Sequence, residues 1–358
     1  MALSAQQRAQ LLQAKLRALI IEHWNVDPST LTAVPFPAAA GFVAQTTGVG
    51  WVLVPPKTVN VDPMDSRAPG QQLLDGWLGG AVVWRERQRL HTLNVLGDLA
   101  APADARRNAL LAAPLSLFVV VDRSVTPMQA SPFLPVPPPD TVTMLLADTI
   151  VAGGADAVVE HGVLRAEVLG LEVGRAVSAS ETEDGVPRLE VGVGRHDRLA
   201  QSMMYGAAAD VTVGLREAVA AVRTHRAAHR GAHPANQLSR ERWMRDLLCA
   251  RPGLVDCRIL RPVSSTEEPA LKVSSPACAV GETIDGVSII IGCSVGVDLH
   301  APLVVADTAE HLGGSYAHRL LVVPNGDDLP ALRLVARSLR APVELVTIAK
   351  DWPDLTPA

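Results

Sequence analysis

Three short apolar runs in the last quarter of the chain limit its fold more than any other feature. They are Ile289-Ile290-Ile291, Leu320-Leu321-Val322-Val323 and Leu345-Val346-Thr347-Ile348. None alternates with polar residues, and β-branched side chains dominate. Strands covered by helices on both faces read this way, whereas a strand with one wet face alternates. Between the runs lie two stretches with helical spacing. The first is predicted over 303–312, with Gly313-Gly314 just past its end, where glycine takes up a left-handed stop. The second is predicted over 329–339: Leu332, Val335, Ala336 and Leu339 share one stripe, and Arg333, Arg337 and Arg340 lie off it. Strand, helix, strand, helix, strand in this order implies a parallel sheet with right-handed crossovers.

The N-terminal third repeats that order. Strands are predicted over 50–54, 91–96 and 115–121, and helices over 73–88 and 103–112. Gly97-Asp98 and Gly326-Asp327 each follow a second strand, and Ala113-Pro114 and Ala341-Pro342 each precede a third. The expected fold class is therefore α/β: two βαβαβ, Rossmann-like half-sheets, one at each end and able to pack together, around a central α+β hairpin unit. Against a true internal repeat stands the fact that Gly and Pro punctuate any two such units. The helix over 73–88 carries Gly76, Gly79 and Gly80, each costing about 1 kcal/mol relative to Ala. Such a helix has something close against it, either another element or a ligand phosphate.

The expected segments are an amphipathic helix over 1–24, an α/β unit over 25–126, a Pro-rich connector over 127–140, the hairpin unit over 141–235 and an α/β unit over 236–358. In the first helix Leu12, Leu16, Leu19 and Ile20 form one stripe, closed by His23 and Trp24, and Ser4 to Gln7 fit a capping box. A polar loop is expected over 57–70. In the connector, Pro127, Pro132, Pro135 and Pro137-Pro138-Pro139 favour extended chain. Asp140 is placed to cap a helix over 141–152, and Ser239 one through Cys249.

The central unit contains two echoing segments, 169–175 and 189–195, flanking Asp184-Gly185, a hairpin turn signal. Alternation puts Leu169, Leu171, Val173, Leu189, Val191 and Val193 on one face. Gly170, Glu172, Gly174, Glu190, Gly192 and Gly194 fall on the other. Arg195-His196-Asp197-Arg198 follows, and Glu160, His161 and Glu167 lie upstream. An acid-bearing hairpin flanked by helices resembles, in outline, a metal-dependent nuclease core. Such a core carries a Lys two residues after the strand acid, where this chain has Gly174 and Gly192. The plainer reading is a solvent-facing acidic hairpin.

A formal net charge of −5 argues against a dedicated nucleic-acid binder, and 3% aromatic content leaves few platforms for stacking bases. The lysines are Lys15, Lys57, Lys272 and Lys350; this Arg-over-Lys bias, with abundant Ala, Val and Pro, is the pattern expected of a high-GC bacterial genome. Cys249, Cys257, Cys278 and Cys293 show no C-x-x-C spacing, so buried reduced thiols and a cytoplasmic location are expected. No apolar run is long enough to span a bilayer, so no membrane partner is expected. A helix over 213–229 places Leu215, Val219 and Val222 inward. His225, His229 and His233 are spaced by four, but Gly231 and Pro234 separate the third from the helix, and no metal ligand set is assigned.

Three functions follow as expectations. The first is a small anionic or nucleotide-like ligand bound at loops beyond the strand C-termini, with Gly97, Asp98, Ser294, Asp298, Asn325, Gly326 and Asp327 as binding residues. The bland alternative for Asn325 to Asp328 is a loop and helix cap. The second is a nuclease-like or nucleic-acid-processing activity using Glu172, Glu190, His196 and Asp197, the only reading that calls for a cofactor, a divalent metal. The third is a non-catalytic scaffold with a homo-oligomeric or protein partner. Neither Ser294 nor Cys293 has an assignable His partner, and no motif fixes a reaction.

Overall fold

Helix α1 (Ala5–Trp24) forms on the predicted stripe and lays Leu16, Leu19 and Ile20 against Trp51, Leu53, Leu96 and Val120 of the first sheet. The computed structural model describes residues 5–34, 42–54, 77–97, 101–134, 136–194, 197–198, 211–226, 233–267 and 275–356. The capping residue Ser4, the loop over 57–70 and residues 73–76 of the second predicted helix lie outside them.

That sheet runs β1 (Thr32–Val34), β2 (Phe42–Thr46), β3 (Val49–Val54), β4 (Thr92–Gly97), β5 (Ser116–Val121), β6 (Ser124–Pro127), neighbours in space as in sequence. β3, β4 and β5 are parallel and are joined through α2 (Trp77–Arg87) and α3 (Pro102–Asn108); the other pairings are antiparallel. The buried parallel strands stand within a residue of where the apolar runs predict them. β1, β2 and β6 were not expected. β6 ends on Pro127 at the sheet edge, where a missing N–H is tolerated. α3 stops at Asn108, short of the expected 112. The Asn108 side chain accepts from Leu115 N at 2.9 Å and donates to Leu115 O at 2.8 Å, fixing the return into β5.

Asp140 caps as expected, its carboxylate accepting from Thr143 N at 2.8 Å. The helix it starts is broken at Leu145 into α4 (Thr141–Met144) and α5 (Leu146–Ala152). Four antiparallel strands follow: β7 (Asp156–Glu160), β8 (Val163–Val168), β9 (Leu171–Val177) and β10 (Arg188–Val191), in spatial order β10-β9-β8-β7. β9 and β10 are the predicted hairpin. One face carries Leu164, Ala166, Val168, Leu171, Val173, Leu189 and Val191, packed on Ile150 and on Leu215, Val219 and Val222 of α6 (Val211–Arg226). The expected face of strand glycines is corrected. Leu169 (φ 50°) and Gly170 (φ 74°) form the tight β8–β9 turn, and Gly192 (φ 140°) and Gly194 (φ 80°) lie past β10. Positive φ at these positions explains the glycines without a ligand.

Helix α7 (Arg240–Ala250) precedes a sheet of β11 (Cys257–Val263), β12 (Ala277–Thr283), β13 (Ser288–Cys293), β14 (His318–Pro324) and β15 (Glu344–Ile348), in that spatial order. Ser239 takes a left-handed conformation (φ 47°) and its side chain makes no cap bond, so the expected cap is absent. β13, β14 and β15 are parallel, joined through α8 (Ala301–His311) and α9 (Pro330–Arg337), while β11 and β12 pair antiparallel. The order β11 to β15 matches that of β1 to β5, with two antiparallel pairings and then two parallel ones. Trp243, Met244, Leu247 and Leu248 of α7 bury against Ile289, Ile291, Leu320, Val322 and Trp352.

The chain divides into two compact units. The first is Met1–Phe133 with Asp298–Asp307 and Pro330–Pro342; the second is Leu134–Val297 with Thr308–Leu329 and Val343–Ala358. Within the first, Leu111 and Leu339 form an isolated antiparallel bridge, with Ala112 N donating to Ser338 O and Arg340 N to Leu110 O, both at 2.9 Å. Gly79 of α2 has its explanation here as well. A Cβ on Gly79 would stand 2.2 Å from Leu299 O, whereas one on Gly80 would meet nothing within 4 Å. The close neighbour is backbone. Gly79→Ala should therefore destabilise the protein by about 2–3 kcal/mol through overpacking, and Gly80→Ala should stabilise it by up to about 1 kcal/mol. Opposite shifts of the urea midpoint would show this; equal shifts would refute the close approach.

Candidate functional site

The strand tips of the second unit are built from bare backbone. After β13, Ser294 is 1% exposed and donates its N–H to Val322 O at 3.0 Å. Gly296 follows with φ 86°, and its N–H donates to the Asp327 carboxylate at 2.8 Å, tying the loop after β13 to the loop after β14. Gly326 has φ 101°, and a side chain at either glycine would enter open space. Asn325 is exposed and held by its N–H to Ile348 O at 2.8 Å. Ser294, Asn325, Gly326 and Asp327 are thus brought to adjoining loops. Ser294 is too buried to act as a nucleophile, and burial raises the Cys293 thiol well above its ordinary range.

The remaining strand-end residues belong to the first unit. Gly97 closes β4 and is buried; Asp98 lies outside the described residues. The Asp298 carboxylate accepts from His300 N at 2.8 Å, a cap at the start of α8. His300 points into a buried cluster that the sequence reading missed. Its Nε2 is hydrogen-bonded to Arg107 and lies 3.8 Å from Asp104 Oδ1. Arg107 Nε also donates to Asp307 at 3.1 Å, and Arg106 grips the same Asp307 with two bonds of 2.7 Å. The residues come from one turn of α3, from His300 just before α8, and from Asp307 of α8. A helical stripe of apolar residues does not announce such groups.

The acids of the central hairpin are largely neutralised where they stand. Glu172 is not solvent-facing: its carboxylate accepts from Arg165 of β8 and, at 2.9 Å, from Arg198. Burial alone would raise its pKa, but those two guanidiniums outweigh it and hold the carboxyl below its usual range. Glu190 is more exposed, 3.7 Å from Arg188 and 4.0 Å from Arg198. Asp197 accepts from Val193 N at 2.7 Å, and His196 lies outside the described residues. The hairpin therefore offers guanidinium-bound carboxylates rather than an open set of metal ligands.

On that same face the sheet meets the cationic side of α7. Glu160 accepts from both Arg242 and Arg245; Glu167 accepts from Arg245 at 3.0 Å and faces Arg242 at 3.4 Å. All four are buried. Burial works to raise Glu160, but Arg245 and Arg242 prevail and hold it at about 2. Glu167 is raised instead: its burial is complete, the two arginines offset only part of that, and the nearby Glu160 charge adds to it.

Among the described residues no group of three or more His, Cys, Asp or Glu side chains is placed to hold a metal ion. His225 and His233 stack face to face, centroids 3.6 Å apart, and His229 lies outside the described residues. Cys257, Cys278 and Cys293 are free and buried, and Cys249 partly so; burial pushes Cys249 and Cys278 up to about 12. No described helix is long and apolar enough to cross a membrane. The chain is an α/β protein with, among the described residues, two mixed sheets and one antiparallel sheet. No protein-family model matches it, and no curated protein and no solved structure matches it either.

Arg245→Met would leave Glu160 and Glu167 buried with one guanidinium between them. Breaking a buried pair in this way costs about 3–5 kcal/mol. The variant's native carboxyls would then bind protons that the unfolded chain has already released, so stability should fall as pH rises. Urea unfolding should show a larger loss at about pH 8 than at about pH 5; a loss under about 1 kcal/mol at both would refute the network's role.

Proposed function

We propose that this chain binds a small anionic or nucleotide-like ligand at the loops beyond the C-terminal ends of its parallel strands, in the manner of a Rossmann-like sheet. The observation that carries this reading is the pair of positive-φ glycines, Gly296 and Gly326, with open space where side chains would stand. Bare backbone at strand tips lets a ligand approach the main chain closely, with the Gly296 N–H already given to the Asp327 carboxylate. The Asp327 carboxylate beside them disfavours a naked phosphate at that point and suits a sugar hydroxyl, so a ligand with both groups fits better than a free anion. No reaction is assigned, because the two nearest nucleophilic side chains, Cys293 and Ser294, are buried. The shared strand order of the first and third sheets supports reading them as related halves.

A thermal-shift panel of mononucleotides, dinucleotides and sugar phosphates tests this. A ligand at 100 times its Kd should add about 2.7 kcal/mol of stability, enough to raise Tm by some degrees. Gly326→Asn, a residue that tolerates positive φ, should fill the open space and remove the shift while leaving the unliganded protein folded. A silent panel, or a shift untouched by this variant, would sink the assignment.

A further inference from the structure

Helix α7 carries a third kind of side chain between its apolar and cationic sides. Asp246 faces a cavity of about 240 Å³ lined by Leu169, Arg223, Trp243, Asp246, Leu247 and Thr356. The acids around it that reach α7 or the hairpin, Glu160, Glu167 and Glu172, each touch at least one guanidinium. Asp246 has no hydrogen-bond or ion-pair partner among the described residues. The neighbouring cations make their hydrogen bonds elsewhere, although Asp246 is the leading charge partner of the buried Arg226. Arg226 donates to the carbonyls of Leu169, Ala235 and Leu238 and lies over the Trp243 ring, 4.5 Å from its centroid. Arg245 serves Glu160 and Glu167, and Arg223 donates to Gly154 O at 3.0 Å.

We propose that this cavity binds a small organic cation, a primary ammonium on a short apolar body, with Asp246 as its counter-ion. Leu169, Trp243 and Leu247 surround the body. The Thr356 hydroxyl accepts the Trp243 indole N–H at 3.0 Å and keeps a second lone pair for the ammonium. The volume lies below the usual range for drug-sized ligands, so the ligand is small. The charges facing Asp246 reinforce the choice of sign. Burial, then Asp156 of β7 and Glu167 of β8, push its carboxyl up to about 7, with Arg245 and Arg226 offsetting only part, while the Cys249 thiol beside it is itself pushed up to about 12. A bound cation supplies the direct ion pair that Asp246 does not make among the described residues. The site shares no residue with the strand-tip loops, so the two proposals stand or fall separately.

The test is calorimetric titration of the full chain with phenethylammonium, which stays protonated near neutral pH. One saturable site is expected. Because the cation prefers ionised Asp246, affinity should rise about tenfold between about pH 6 and about pH 8. Asp246→Asn should weaken binding at least about tenfold and be at least as stable as the parent at about pH 8, since it removes a desolvated carboxylate. The neutral isostere 2-phenylethanol should bind at least about tenfold more weakly. No saturable binding, an alcohol binding as well as the amine, or unchanged affinity in Asp246→Asn would each overturn the proposal; the first two need no variant.

Discussion

The four-residue knot of Glu160, Glu167, Arg242 and Arg245 decides how the second unit is assembled. Helix α7 lies between two sheets and answers each with different chemistry. Trp243, Met244, Leu247 and Leu248 supply ordinary apolar burial toward β11–β15. Arg242 and Arg245 turn to β7 and β8, whose facing residues are carboxylates. A buried guanidinium without its acid costs several kcal/mol, whereas apolar surfaces tolerate sliding. The ion pairs therefore fix which turn of α7 meets which strand. Apolar contact alone would leave the register loose.

The tight β8–β9 turn sits against this arrangement. A Cβ on Gly170 would stand 2.3 Å from the Arg242 carbonyl carbon, and Leu169 O is capped by Arg226. The left-handed pair Leu169-Gly170 thus lets the turn touch the backbone of α7. A sequence echo that first suggests a ligand-facing strand is better understood as two different turns that happen to need glycine.

What could be read from the sequence follows from burial symmetry. Ile289 to Ile291 and Leu320 to Val323 are apolar on both faces, so their strands show without any partner in view. So do the stripes Leu16-Leu19-Ile20 and Leu215-Val219-Val222, because one helix face is enough to reveal them. Strands β1 and β6, at sheet edges, and β12, inside its sheet, are short, Pro-flanked or small-residue segments whose strand character comes from antiparallel pairing with the adjoining strand rather than from an apolar run of their own. Strand-tip residues Asn325 to Asp327 were legible as a polar Gly-containing loop, and Glu172 as an odd strand acid. Arg245, His300 and Asp307 were not, since a buried charge has the same one-letter code as a solvated one. Only the contact map tells the two apart.

Three of the four thiols sit inside the sheet or its core: Cys257 on β11, Cys278 on β12 and Cys293 on β13. With their sulfurs shielded and protonated, none can react while these strands stay paired. Their rate of modification by an alkylating reagent is therefore a built-in clock for how often adjacent strands of this sheet part company. Cys249, half-covered on α7, would keep time for the helix instead.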